Sequence, residues 1–216
     1  MEANVVTLLR VALVFVAVGL LQVPHPPVVA AAVVLVAFVL YLDALDGYVA
    51  RRLKIASDTG ALFDILGDRI VEQVLWIYFA VAGMVSLWVP LVVVARGLVT
   101  DNVRTVAFKS GHTAFGEKTM MRSPATRFLV ASRFSRGLYG GMKAALFVYL
   151  ALLLFLSRAA AVYGWGVGQG ALRALEYAGA GLAYTTVALC LVRGLPVLWD
   201  GRQILFEKGF PRRLEA

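Results

Sequence analysis

The sequence predicts an all-α, polytopic membrane protein with six transmembrane helices around a polar cavity that faces the cytoplasm. Hydrophobic residues make up 61% of the chain, and the mean hydropathy is +0.81, which is too apolar for a soluble globule of ordinary composition. The apolar residues also fall in runs close to the roughly 20 residues that cross a bilayer as a helix. We therefore expect residues 1–216 to form a single transmembrane domain.

Six apolar runs are long enough to span a membrane. They cover residues 5–22, 28–50, 60–82, 85–107, 135–157 and 174–196. Residues 109–127 lie between the fourth and fifth runs and are predicted to form a loop, because they contain Gly111, Gly116 and Pro124.

The formal net charge of +8 is distributed as in a membrane protein. The loops at 22–27 and 83–87 contain no Lys or Arg, whereas basic residues are frequent at 51–54, at 109–133 and after residue 201. Because cytoplasmic loops carry the excess of Lys and Arg, both termini and the 51–59 loop are predicted to face the cytoplasm. We expect membrane lipids and no nucleic acid as partners, in the inner (plasma) membrane of a bacterium or archaeon.

Two acidic clusters lie at neighbouring ends of the second and third predicted helices. At 100° per residue, each cluster occupies one helix face together with small residues. The first face carries Asp43, Asp46, Gly47 and Ala50, and the second carries Gly60, Asp64 and Asp68. A charge at the centre of a membrane helix costs about 2.5–3.5 kcal/mol on insertion scales. Four close carboxylates therefore need a cation.

The types of residue around these carboxylates indicate the ligand. Hard carboxylate oxygens suit Mg²⁺ or Mn²⁺, which usually keep coordination positions open for substrate phosphates. Gly47, Ala50 and Gly60 leave a wall without side chains, so a base or a diphosphate can approach the backbone closely. Arg51 can pair with a phosphate through its guanidinium fork. The pattern predicts a site for a metal-bound diphosphate ester.

The spacing of these residues resembles the signature of a known family. The pattern Asp43-x2-Asp46-Gly47-x2-Ala50-Arg51-x8-Gly60-x3-Asp64-x3-Asp68 has eight fixed positions over 26 residues. It resembles, position for position, the signature of the CDP-alcohol phosphotransferase (CDP-alcohol phosphatidyltransferase) family. The resemblance implies an integral membrane enzyme, forming a homodimer, that transfers a phosphatidyl group from CDP-diacylglycerol to an alcohol and releases CMP.

The same resemblance implies roles for individual residues. It implies that Asp43, Asp46 and Asp64 hold two divalent ions, Mg²⁺ or Mn²⁺, and that Asp68 helps to hold them and acts as the general base. Asp68 is also the aspartate that lies deepest along its helix. We expect Gly47, Ala50, Arg51 and Gly60 to bind the CDP part of the donor.

The first helix adds one further candidate, Arg10. Asn4, Thr7 and Arg10 are three residues apart, and they resemble the Asn-x-x-Thr-x-x-Arg opening of some family members. One interpretation is a helix cap with an arginine that reaches the membrane interface. The other places Arg10 near the phosphates of the donor, and we include it among the predicted donor-binding residues.

Charged residues in the third and fourth runs have structural interpretations. Arg69 and Glu72 are three residues apart, which allows a pair within one helix. Arg96 lies inside an apolar run and should face the helix bundle, where it forms a salt bridge or contacts substrate.

A basic stripe predicts the acceptor. Arg133, Arg136 and Lys143 lie on one helix face, at offsets of three and ten. Such a stripe complements a phosphate dianion, so we expect a phosphorylated acceptor, with sn-glycerol 3-phosphate first and inositol phosphate second. The predicted acceptor-binding residues are Arg104, Lys118, Arg122, Arg133, Arg136 and Lys143. The segment from Gly116 to Thr119 also resembles the Gly-Lys-x-Lys-Thr loop of phosphatidylglycerophosphate synthases, with Glu117 as a departure.

Three alternatives remain open at this point. The same reaction could use another alcohol. An intramembrane prenyltransferase also holds a diphosphate with aspartates and Mg²⁺, but it needs a long apolar cavity and usually more helices. A cation or proton transporter also carries carboxylates within the membrane. The small residues of the signature favour the CDP-linked donor.

Overall fold

A computed structural model describes residues 2–53, 58–109, 121, 123–164 and 168–206. Within these residues all regular secondary structure is helical, which confirms the predicted all-α class there. The helices are α1 (Glu2–Gln22), α2 (Pro26–Leu53), α3 (Asp58–Val81), α4 (Trp88–Lys109), α5 (Pro124–Ala131), α6 (Arg133–Tyr163) and α7 (Gln169–Phe206).

Each of the six predicted spans coincides with a long helix, and four of these helices are long and apolar enough to cross a membrane. The four candidate spans are Val5–Gln22, Pro26–Asp43, Phe134–Tyr163 and Gln169–Arg202. The other two long helices, α3 and α4, are not among these candidates. Asp64, Asp68, Arg69 and Glu72 lie in the middle of α3.

The short helix α5 was not predicted, and the predicted loop at 109–127 extends too far. Ser123 caps the helix, because its hydroxyl accepts a hydrogen bond from the Thr126 amide at 3.0 Å. The Ser123 amide in turn donates to Thr126 Oγ1 at 3.3 Å, which completes a capping box. Pro124 fits the first helical position, where its missing N–H costs nothing. Residues 110–120 and 122 lie outside the described part of the chain.

Two glycines end helices in the left-handed backbone region. Gly83 follows α3 with φ +73°, and Gly164 follows α6 with φ +62°. The Gly164 amide donates to the Ala160 carbonyl at 3.1 Å. A residue with a Cβ is strained at such angles, so glycine lets the chain leave the helix within one residue.

The chain forms two compact units, described here one at a time. The first consists of Met1–Pro90 and Lys143–Ala183. In it α1 packs against α2 and α3, and Val14, Ala17 and Leu21 of α1 are fully buried.

The second unit consists of Leu91–Met142 and Tyr184–Ala216. Its apolar core is formed by side chains of α4, α5 and α7 with one residue before α5: Val103, Ala107, Met121, Val130 and Val197. Thr126 Oγ1 of α5 donates to Asp200 Oδ2 of α7 at 2.9 Å. This contact holds the N-terminal turn of α5 against α7. The prediction of a single domain stays a prediction.

Arg158 of α6 closes the C-terminal end of α1. Its Nη1 donates to the carbonyl oxygens of Leu21, at 2.7 Å, and Val23, at 2.6 Å. The Tyr78 hydroxyl also donates to the Leu21 carbonyl, at 2.9 Å. The last carbonyl groups of a helix have no partner within the helix, so these donors supply hydrogen bonds that α1 cannot form alone.

We expect the substitution Arg158→Met to lower the midpoint of thermal unfolding of the detergent-purified protein. The carbonyl groups of Leu21 and Val23 lose a charged donor, and hydrogen bonds to charged groups are worth roughly 1.5–3 kcal/mol. Arg173→Met is the matched control, because Arg173 is an exposed residue of α7 in the same unit. Its midpoint should stay close to that of the wild type. An equal loss in both variants would contradict this account of Arg158.

Candidate active site

The described part of the signature lies on α2 and α3. Asp43 belongs to α2, and Asp64 and Asp68 are four residues apart on α3, so the last two share a helix face. Five other predicted residues belong to the same helices and are described only as part of the helical backbone: Asp46, Gly47, Ala50, Arg51 and Gly60.

One guanidinium group of α1 joins the aspartates of both helices. Arg10 Nη1 donates to Asp43 Oδ1, and Arg10 Nη2 donates to Asp68 Oδ1. The same Nη2 atom lies 3.5 Å from Asp64 Oδ1. The structure thus brings together four predicted site residues from three helices.

The cation and the carboxylates of this cluster differ in exposure. The Arg10 side chain is 0% exposed, whereas those of Asp43, Asp64 and Asp68 are 42%, 44% and 45% exposed. The arginine is therefore buried beneath an acidic surface that remains open. Full burial does not fit the interpretation in which Arg10 reaches the membrane interface.

The chemistry of this donor set fits a divalent cation. Three carboxylates face one guanidinium, so two negative charges remain uncompensated around Arg10. Hard, half-exposed oxygens of this kind suit Mg²⁺ or Mn²⁺. Among the side chains that the structure describes, no group of three potential ligands surrounds a common metal position; Asp43, Asp64 and Asp68 converge on Arg10 instead. The fourth predicted ligand, Asp46, is not among those side chains.

The predicted acceptor residues have varied surroundings. Lys143 Nζ pairs with Glu72 Oε2 at 2.7 Å, and Arg104 Nη1 lies 3.5 Å from Asp101 Oδ1. Arg136 is exposed on α6. Lys118 and Arg122 lie outside the described residues, as does the side chain of Arg133. The predicted pair between Arg69 and Glu72 is present at 3.7 Å.

In the second unit, Arg193, which was not singled out in the sequence, lies near two arginines that were. The guanidinium groups of Arg96 and Arg136 lie within electrostatic range of Arg193. Arg193 Nη1 donates to the Ser135 carbonyl at 3.1 Å, and the guanidinium lies 5.2 Å from the centre of the Tyr139 ring. The Nε atoms of Arg96 and Arg193 are buried without a hydrogen-bond partner among the described residues. Three neighbouring cations of this kind favour an anion.

Residues 1–190 match the family model described as CDP-alcohol phosphatidyltransferase. The chain belongs to this family. The prediction drawn from the signature is confirmed, and the match extends well beyond the signature to both units.

Curated relatives of the chain share one name. The chain is 32% identical over 116 residues to a CDP-diacylglycerol–glycerol-3-phosphate 3-phosphatidyltransferase of Pseudomonas fluorescens, which covers 52% of this chain and 59% of the relative. It is 33% identical over 67 residues to a protein of the same name from Mycoplasma genitalium, which covers 31% of this chain and 28% of the relative. The match thus spans less than two thirds of either relative.

In this member of the CDP-alcohol phosphatidyltransferase family, a glycine on α3 allows Arg10 to approach the aspartates. A Cβ atom at Gly67 of α3 would overlap Cγ2 of Thr7 and would lie 3.4 Å from Arg10 Nη2. Thr7 and Gly67 are both buried. Glycine at position 67 therefore allows the close approach of α1 to α3 on which the contact between Arg10 and Asp68 depends. Gly67 was not singled out in the sequence, although it directly precedes Asp68.

We expect Gly67→Ala to lower both the thermal unfolding midpoint and the activity, because overpacking a close helix contact typically costs about 1–3 kcal/mol. Adding Thr7→Ser removes the methyl group in the way and should restore most of the loss. Gly140→Ala is the control, since a Cβ there meets nothing within 4 Å. If the double variant is no more stable than Gly67→Ala, the contact with Thr7 is not the reason for glycine at this position.

Proposed function

We propose that this chain is a metal-dependent transferase that moves a phosphatidyl group from CDP-diacylglycerol to a phosphorylated alcohol, with sn-glycerol 3-phosphate favoured, and releases CMP. The observation that carries the proposal is the convergence of Asp43, Asp64 and Asp68, residues of the family signature, on Arg10. The relatives' name, which states a CDP-diacylglycerol donor and a glycerol 3-phosphate acceptor, supports the choice of substrates.

The proposed setting is an integral protein with six spans, a cavity open to the cytoplasm and both termini on the cytoplasmic side. Four candidate spans and two further helices at the predicted positions support this arrangement. The distribution of Lys and Arg between the loops supports the orientation. We also propose a homodimer in the plasma membrane of a bacterium or archaeon, as the family resemblance implies.

The donor site is proposed to lie on the open side of the acidic cluster. Asp43, Asp46, Asp64 and Asp68 would hold two Mg²⁺ or Mn²⁺ ions, which when bound polarise the diphosphate and stabilise the leaving CMP. Gly47, Ala50 and Gly60 leave room for the cytidine, and Arg51 pairs with a phosphate. Arg10 is buried beneath the carboxylates, so it supports donor binding through the aspartates that it holds.

In the proposed chemical step, Asp68 takes the proton of the acceptor hydroxyl. The acceptor hydroxyl oxygen forms a bond to the phosphorus that carries diacylglycerol, while the bond from that phosphorus to the oxygen of CMP breaks. Asp68 accepts the hydroxyl proton as this bond forms. The position of Asp68, one turn further along α3 than Asp64, supports its assignment as the base, because it makes Asp68 the deepest carboxylate of the signature.

The acceptor phosphate is proposed to bind a group of arginines that includes Arg136. Arg136 was predicted from the basic stripe, and it interacts electrostatically with Arg193, which in turn interacts with Arg96. Guanidinium groups suit a phosphate because they donate paired hydrogen bonds. Arg104, Lys118, Arg122 and Arg133 remain proposed contributors. Lys143 is already paired with a carboxylate, so it supports an acceptor role less well.

An assay of the purified protein with radiolabelled CDP-diacylglycerol, Mg²⁺ and a panel of acceptors tests the reaction. We expect sn-glycerol 3-phosphate to be preferred and chelator to abolish CMP release. Asp68→Asn should retain donor binding and lose turnover by roughly 10²–10⁴-fold, as removal of a general base does. Undiminished CMP release in chelator would rule out the metal. A preference for serine, inositol or choline over every phosphorylated alcohol would rule out the proposed acceptor class.

Arg136→Gln should raise the acceptor KM by at least about tenfold, which corresponds to one charge-assisted contact of roughly 1.5–3 kcal/mol. The donor KM should remain near the wild-type value. Arg202→Gln serves as the control, because the Arg202 guanidinium lies over the Trp199 ring at 3.7 Å and removing it should leave both KM values unchanged. Equal acceptor KM values for the two variants would exclude Arg136 from the acceptor site.

A further inference from the structure

An ion pair between α3 and α6 takes no part in the proposed chemical step. Lys143 Nζ lies 2.7 Å from Glu72 Oε2, and the two side chains are 20% and 7% exposed. Arg69 provides a second, longer contact to the same Glu72 oxygen. A charge this deeply buried is costly unless it is paired, and an ionisable group in a membrane protein usually serves a function.

The ion pair is one end of a continuous seam between the two helices. One turn further along each helix, Trp76 contacts Phe147 edge to face, with 5.0 Å between the ring centres. Phe79 stacks on the same Phe147 ring at 6.2 Å. The contacts advance by four residues on both helices, so α3 and α6 run in the same direction along the seam.

The position of Glu72 connects this seam to the acidic cluster. Asp64, Asp68, Glu72 and Trp76 are successive residues four apart on α3. Each four-residue step turns about 40° around a helix with 3.6 residues per turn. The row therefore winds from the side facing α1, where Arg10 binds the aspartates, to the side facing α6. A rotation of α3 large enough to break the Glu72 ion pair would also move Asp68 away from Arg10.

We propose that Glu72 and Lys143 are positioning residues that fix the rotation of α3 and thereby place Asp64 and Asp68 for metal binding. This inference rests on the proposed function, because it assumes that the aspartates hold the metal. It assigns Lys143 to the support of α3 and removes it from the acceptor site. The pair acts at the end of the seam nearest Asp68, where it fixes the helix more directly than the aromatic rings do.

Titration of the detergent-purified protein with Mn²⁺, followed by electron paramagnetic resonance without substrates, tests the proposal. Glu72→Gln and Lys143→Met should each weaken Mn²⁺ binding by at least about tenfold, the loss typical of removing a residue that orients a metal ligand. Because both substitutions remove the same contact, the double variant should have a Mn²⁺ affinity no lower than that of the single variant with the lower affinity. Lys143→Arg keeps the charge and should retain most of the affinity.

Arg158→Met is the control for loss of stability alone. Arg158 lies on the same helix and in the same unit as Lys143, but its contacts are to the end of α1. This variant should bind Mn²⁺ as the wild type does. Wild-type Mn²⁺ affinity in both Glu72→Gln and Lys143→Met would overturn the proposal. So would a raised acceptor KM in Lys143→Met alone, since that result would return Lys143 to the acceptor site.

Two further outcomes separate folding and function from this inference. If a single variant does not fold, Glu72→Leu combined with Lys143→Met removes both charges of this pair, so that neither is left buried alone; wild-type Mn²⁺ affinity in it overturns the proposal. If the wild type itself binds no Mn²⁺, the metal site of the proposed function is refuted, and the role of the ion pair in placing it falls with it. A defect confined to the variants concerns the ion pair alone.

Discussion

A guanidinium group buried beneath three carboxylates is the interaction on which the first unit depends. Each partner needs the other, because a buried arginine requires anionic partners and closely spaced aspartates require a cation. Arg10 meets both needs and links α1 to α2 and α3 in one contact. The remaining negative charge is left on the exposed side, which is the side that a metal ion and a diphosphate can reach.

The helix α3 is held on two sides by opposite means. Toward α1, Gly67 removes a side chain so that the helices approach closely. Toward α6, large rings of Trp76 and Phe147 fill a wider gap, and Lys143 crosses it to Glu72. A close contact limits translation of the helix, while a directional ion pair limits rotation. Precise placement of carboxylates on one helix thus depends on its contacts with two others.

The local part of this structure could be predicted from the sequence, and the long-range part could not. Helical periodicity and the spacing of the aspartates depend on near neighbours, so the helices and the shared face of Asp64 and Asp68 were predictable. The pairing of Lys143 with Glu72 spans 71 residues, and a basic stripe cannot reveal an acidic partner on another helix. Arg193 was missed for the same reason. By contrast, α5 was missed although Ser123 and Pro124 are local start signals, because the glycines nearby indicated a loop.

The burial of Arg10 also bears on how the protein is inserted into the membrane. Arg10 precedes Asp43 by 33 residues and Asp68 by 58, so α1 is synthesised well before the carboxylates that neutralise it. At about 5–20 residues per second, Asp68 follows Arg10 by roughly 3–12 s. During that interval a lone arginine in a bilayer costs about 2.5–3.5 kcal/mol on insertion scales. The first helix is therefore fully stabilised in the bilayer only after Asp43 of the second helix, and then Asp68 of the third, have reached Arg10.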